Sequence, residues 1–429
     1  MKENPVVITG AAMVSALGLT VSETWENVLA GQEGIGPIRG FDAAGFACRV
    51  AAQVRGLNAA SLDIHPRSAR IMDLHSYMLM KCATDAFAQA GLDTAPVREE
   101  DIGLFVGMGT VDFRIEDLLP ATLASMDETG CVDLDKFYSR GYQEIYPLIT
   151  LYMLNNISVC QAAIRLKIRG ENAVFSPHAD SGAQAIAEGV KTLQDRKAKI
   201  VFAGGVSEKV SPYSLARAHL QGVLNTTGGN DGKRCHPFSA RRAGTVLGEG
   251  CAMMALELRN SAAERNVPYI AAVVGCGAAF QAEEALPSPT DKAMAQAMIL
   301  ALHDAELSPS DIDVLIAHGD GTPAGDGNEI SAIHEVFGSC LNKLRVYASK
   351  GALGHLLAGA PAVDMILGSC MLSHRTIPAA ILCGPLDERV EFQLVRQAPQ
   401  PTAVRRVMVN CRSFEGHCAS LIIESVRSR

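Results

Sequence analysis

The chain reads as a layered α/β protein. Short β-branched runs alternate with longer alanine-rich stretches of helical period. The alternation restarts near residues 258–269, as in an internal duplication. Hydrophobic residues make up 48 % and charged residues 20 %, the balance of a globular protein with a large core. With 429 residues there is room for one large duplicated domain.

In the first half the runs predict strands over 6–9, 102–106, 200–203 and 252–257, with helices over 77–89 and 183–193. The second half predicts strands over 270–274, 314–317, 346–348, 407–409 and 420–424, with helices over 292–303, 329–336 and 356–372. The domain division is therefore 1–258 and 259–429. Residues 111–154 fit neither half and read as an insertion that caps a pocket or joins a dimer interface. One correspondence supports the duplication: 176–182 turns from a strand end into a helix, and 349–355 does the same. Open N–H groups at such turns favour anionic or carbonyl ligands.

The net charge of −8 argues against nucleic acid or an anionic membrane as partner. An acidic partner needs a local basic patch, for which Arg67, Arg70, Arg165, Lys167 and Arg169 are candidates; the alternative is scattered solvated charge. The N-terminus lacks the apolar core of a signal peptide, and no run approaches the roughly 18 apolar residues of a membrane span. Among twelve cysteines only Cys411 and Cys418 are close, while Cys251, Cys276 and Cys370 sit in apolar runs as small buried hydrophobes. That usage fits a reducing cytoplasm. Neither a phosphate-binding fingerprint nor a clustered ligand set signals a cofactor or a metal.

Two motifs carry chemistry. Ala317-His318-Gly319-Asp320-Gly321-Thr322-Pro323-Ala324-Gly325-Asp326 follows an apolar strand, so His318 faces a cleft unless it merely packs. In Ser349-Lys350-Gly351-Ala352-Leu353-Gly354-His355, a lysine beside a histidine holds the imidazole neutral, suited to polarising a carbonyl. The plainer alternative is a surface lysine and a capping histidine. Together these motifs resemble the β-ketoacyl-ACP synthase family, the type II ketosynthases. The family pattern is His-Gly-Thr-x-Thr-x-x-Gly-Asp followed by Lys-x-x-x-Gly-His. Val7-Ile8-Thr9-Gly10 is similar to its opening strand, and Gly244-Thr245-Val246-Leu247-Gly248-Glu249-Gly250 to its central Gly-rich loop. The resemblance implies a thiolase-like fold of duplicated five-layered αβαβα architecture, a homodimer or heterodimer, and thioesters carried on acyl carrier protein. It makes His318 and His355 the two catalytic histidines and Lys350 their supporting lysine.

The departures bear on function. The family's Thr-Ala-Cys-x-Ser-Gly elbow is Pro177-His178-Ala179-Asp180-Ser181-Gly182 here, so Ala179 replaces the nucleophile. A methyl group cannot form an acyl-enzyme. Cys160 is nineteen residues upstream, Ser181 with Gln184 reads as a capping box, and His178 has no carboxylate placed by sequence. The family's gate loop, Asn-Ser-Phe-Gly-Phe-Gly-Gly-Thr-Asn, supplies an N–H to the oxyanion hole. It aligns with Asn410-Cys411-Arg412-Ser413-Phe414-Glu415-Gly416-His417-Cys418, which keeps only Asn410, Phe414 and Gly416 and puts Arg412 at the gating phenylalanine. Asp320 replaces the first threonine, where it raises the histidine's proton affinity or faces solvent.

Three readings follow from the resemblance. The first is a non-condensing subunit, a chain-length factor, that pairs with a cysteine-bearing ketosynthase in polyketide, polyene or fatty-acid-like synthesis and shapes the acyl cavity. The second is a decarboxylase of malonyl thioester that uses the histidines. The third is a condensing synthase carrying an engineered Cys-to-Ala change, against which the other departures speak.

Overall fold

A computed structural model describes residues 4–94, 97–112, 115–227, 234–281, 290–381 and 384–426. The principal strands are β1 (Val6–Ser15), β2 (Ile102–Met108), β3 (Asn172–Phe175), β4 (Ile200–Val206) and β5 (Gly250–Leu258), then β6 (Ala272–Phe280), β7 (Val314–Ile316), β8 (Arg345–Tyr347), β9 (Arg406–Arg412) and β10 (His417–Glu424). They line up as β3-β2-β4-β5-β1-β6-β10-β9-β7-β8, with the short strand Gln393–Leu394 beyond β8. The two blocks of five repeat one topology. In the first, β3, β2 and β4 run parallel, and β5 and β1 pair antiparallel beside them. In the second, β8, β7 and β9 run parallel, and β10 and β6 pair antiparallel. Within the sheet, the blocks pair where Val6 and Val7 of β1 face Val273 and Ala272 of β6.

Helices complete the layers: α1 (Leu74–Gln89), α2 (Ser181–Gln194), α3 (Asp291–Asp304), α4 (Pro323–Phe337) and α5 (Ala360–His374). Helix α1 covers β1 and β5 from outside, and α3 covers β6 and β10. Between the blocks α2 lies on β4 and β2, while α5 touches β5 on one side and β9 on the other. The result is the thiolase-like αβαβα stack. Helix α5 is buried from Ala360 to Leu372, which is why its sequence is apolar on every face.

Several strands outrun their sequence signal, because small residues that read as breaks are packing devices. Strand β1 continues past Gly10, where a Cβ would run into the carbonyl oxygen of Ala86 on α1. Strand β6 starts two residues later than expected and continues through Gly275 and Gly277, against Ala301 and Ala297 of α3. Helix α5 starts at Ala360 and not at 356, because Gly354 (φ 69°) and Leu357 (φ 47°) have left-handed backbone that no helix continues through. The insertion folds into short helices, Ile115–Ala124, Leu134–Ser139 and Ile149–Tyr152, before the longer Asn155–Leu166; residues 113 and 114 lie outside the described residues. Among the described residues no helix is long and apolar enough to cross a membrane.

Candidate active site

Four segments converge at the carboxyl ends of the parallel strands. The elbow 176–182 follows β3, the loop 318–322 follows β7, the turn 349–355 follows β8, and the hairpin turn 413–416 joins β9 to β10. Glycine holds the elbow against the histidine turn: a Cβ on Gly182 or on Gly205 would strike the carbonyl oxygen of Ala358.

The loop after β7 is fixed by buried acids. Glu329 of α4 accepts the N–H groups of His318 and Gly319, each at 2.8 Å, and Asp326 accepts those of Gly321 (3.0 Å) and Phe238 (2.6 Å). Burial pushes both carboxyls up from their ordinary range. Asp326 closes the histidine motif in the sequence, but no role follows there for it or for Glu329; the available signal is that both fall on the buried side of a helix whose third acid, Glu335, does not. Lys350 is buried and donates to the carbonyl oxygen of His318, with Asp364 4.0 Å away. It supports the loop from beneath.

His318 and His355 are 1 % and 0 % exposed, with ring centroids 5.1 Å apart. Nδ1 of His318 accepts the N–H of Arg412 (3.2 Å), and Nδ1 of His355 accepts that of Leu357 (3.0 Å). In a neutral imidazole the proton must then sit on Nε2. Both rings are neutral: burial and the nearby Lys350 bring His318 down to about 3, and burial, His318 and Lys350 hold His355 well below its ordinary range. Among the described residues neither Nε2 makes a hydrogen bond within 3.5 Å, although Asp320 Oδ2 lies 3.6 Å from that of His318. Such a pair is suited to a carbonyl oxygen gaining negative charge. His318, Asp320 and His355 also bring ligand-type atoms within 4.8 Å of one another. A metal does not fit them, because each ring has one nitrogen protonated and the other engaged by a backbone N–H.

The departures from the family pattern find each other. Asp320 is fully buried, not solvent-facing, and Arg412 is the bulkiest of the fully buried side chains. The Arg412 guanidinium donates to Asp320 and, at 3.3 Å, to Thr322 Oγ1. It also lies over the Phe414 ring at 5.6 Å. Burial tends to raise the Asp320 carboxyl, but Arg412 and the histidines outweigh it and hold it well below the usual range. Arg412 also ends strand β9, so the gate region is a strand up to that residue and only the short turn 413–416 is loop.

Ala179 is buried at the elbow, 5 % exposed. Ser181 is already helical and its side chain caps nothing, contrary to the capping-box reading; Gln184 reaches back to Asp180 instead. His178 does have a carboxylate: Glu415 lies 3.1 Å from its Nδ1, and its ring stacks on His417 at 4.8 Å. Cys235, which the sequence reading passed over, donates its thiol to the Asp320 carbonyl at 3.2 Å. Burial pushes that thiol up, and Cys418 up to about 12, so neither offers a thiolate. Cys160 is exposed on the insertion side.

Residues 3–262 match the N-terminal domain of beta-ketoacyl synthase and residues 270–383 its C-terminal domain, so the chain belongs to the β-ketoacyl synthase family. Among curated relatives it is 28 % identical, over 99 % of its length and 100 % of theirs, to the 3-oxoacyl-[acyl-carrier-protein] synthase 2 of Coxiella burnetii. To the enzyme of the same name from Staphylococcus aureus it is 27 % identical, over 98 % of each chain. Among solved structures it is similar to "The ishigamide ketosynthase/chain length factor", with a TM-score of 0.85 and 25 % identity over 99 % of this chain and 100 % of that one.

Proposed function

We propose that this chain is a non-condensing ketosynthase subunit, a chain-length factor, that pairs in the cytoplasm with a cysteine-bearing ketosynthase and shapes the cavity for a chain carried on acyl carrier protein. One observation carries the reading: Ala179 stands where the family's acyl-enzyme would form, and neither Cys235 nor Cys418 offers a thiolate in its place. His318, His355 and Lys350 are retained as the frame of a site that no longer condenses.

The surface supports a partner. The insertion and its flank expose Ile115, Leu123, Leu134, Tyr138 and Ile164, each more than half accessible, and apolar exposure on this scale suits an obligate interface. The neighbour whose title names a ketosynthase together with a chain length factor is consistent with this pairing. For the carrier protein the candidate basic patch is partly spent: Arg169 is paired with Glu99 at 3.0 Å. Arg165 reaches the Asp63 carbonyl, which brings it beside the segment bearing Arg67 and Arg70.

Co-expression with cysteine-bearing ketosynthases, followed by native mass measurement, tests the reading. The expected product is a one-to-one heterodimer. A homodimer that ignores every such partner overturns it.

The open donors of His318 and His355 favour a second reading, decarboxylation of a malonyl thioester. There the bond to the carboxylate breaks, carbon dioxide leaves, and its electron pair forms an enolate held by the two N–H groups. Carbon dioxide release from malonyl-carrier protein by the isolated chain distinguishes it.

A further inference from the structure

We infer that Asp320 and Arg412 form a buried plug that closes the histidine pair of this subunit to a thioester carbonyl, making them the residues that determine what the site excludes. The inference rests on the non-condensing reading and extends it from a missing nucleophile to a sealed substrate position.

Two donors aimed at one point need an oxygen between them. A protein oxygen already stands beside them: Asp320 Oδ2 lies 3.6 Å from His318 Nε2, and ligand-type atoms of His318, Asp320 and His355 lie within 4.8 Å of one another. An incoming carbonyl meets an anion at the place where its own negative charge would grow, and like charges at this distance oppose each other strongly in a dry site.

The guanidinium that pairs with Asp320 is itself fully buried beside it. Arg412 has a cradle of its own: a Cβ on Gly325 would overlap the guanidinium, so the first turn of α4 makes room for it. Its backbone N–H is committed to His318, its side chain to Asp320 and Thr322, and its face to Phe414. These contacts bind β9 to the loop after β7 beside the His318 ring. Among the described residues Arg412 Nε is buried and makes no hydrogen bond.

The pair joins positions 92 residues apart. Where the family pattern has threonine and phenylalanine, neither charged residue makes sense alone: an unpaired buried charge is costly, and the two together neutralise each other. Malonyl decarboxylation by the isolated chain is therefore not expected, because its substrate cannot reach the donors.

The test is calorimetric titration of the isolated chain with the amide analogue of malonyl-pantetheine. The wild type is expected to bind at least tenfold more weakly than the double variant Asp320→Thr/Arg412→Phe, which restores the family's residues at both positions. Equal affinity of the two proteins, including no binding by either, overturns the plug. If the double variant does not fold, nitrogen-15 spectra of the wild-type imidazoles in the same titration decide. Unmoved Nε2 resonances of His318 and His355 support the plug, and displaced ones overturn it. Both measurements use the chain alone, so they can fail while the heterodimer survives, and the heterodimer can fail while they succeed.

Discussion

At the scale of single residues, the site is defined by substitutions that act together. Ala179 removes the nucleophile, and Arg412 with Asp320 removes the approach to the histidines. Restoring the sulfur alone is therefore insufficient. Ala179→Cys should yield no β-ketoacyl product from acyl and malonyl carrier proteins, by mass spectrometry; an active revertant would show that a single Cys-to-Ala change separates this chain from a condensing synthase. The ion pair gives a second prediction. Arg412→Ala or Asp320→Ala strands a buried charge and should cost about 3–5 kcal/mol in urea unfolding. The double variant Asp320→Thr/Arg412→Phe should cost less than either single change, because it leaves no charge behind. Additive losses would mean that the two side chains do not depend on each other.

At the scale of elements, the site depends on close backbone contacts. The α2 elbow touches the carbonyl of Ala358 through the bare face of Gly182. Gly182→Ala should push the elbow away from the histidine turn and lower stability by about 1–3 kcal/mol, the ordinary cost of overpacking, measured by thermal unfolding. An unchanged melting temperature would show that the contact has slack. Much of this level was legible in the sequence. The alternation of short strands and alanine-rich helices located most of the layers, and the histidine and lysine turns were recognisable because their chemistry is local. What escaped was set by contacts distant in sequence. Gly10 and Gly277 look like breaks until a helix is placed on them. Asp320 and Arg412 read as two separate oddities, since nothing in either segment announces the other. Ser181 matched a capping box by spacing, yet the helix had already begun there. The carboxylate partner of His178, Glu415, comes from a hairpin more than two hundred residues away in the chain.

At the scale of the whole molecule, buried titratable groups set how stability follows pH. Glu249 accepts the N–H groups of Val54 (2.9 Å) and Val210 (2.8 Å), and burial pushes it up to about 7, with Lys209 and Asp73 acting in opposite senses nearby. Because its folded value lies above the unfolded value near 4.5, its stabilisation is complete in acid. It is lost as pH rises towards 7, a decline of about 3 kcal/mol in all. The histidines act in the other direction. His318 falls to about 3 when folded, so its contribution is present above its unfolded value near 6.5 and is lost as pH falls below it, at about 1.4 kcal/mol per pH unit. Urea midpoints across pH should therefore form a dome. Glu249→Gln should lessen the decline, to which the raised carboxyls of Asp326 and Glu329 contribute in the same sense, and an unchanged slope would show that Glu249 has no part in it.

The two-residue joint between β1 and β6 has its own consequence. The polar machinery, His318, Lys350, His355 and Arg412, belongs to the second block, while the first supplies the vacated elbow. The side-chain hydrogen bonds of Lys350, His355 and Arg412 end within the second block, which the elbow meets through Gly182 at Ala358 and through His178 at Glu415. On the proposed reading, the elbow loses its nucleophile while the frame that holds the histidines stays in place.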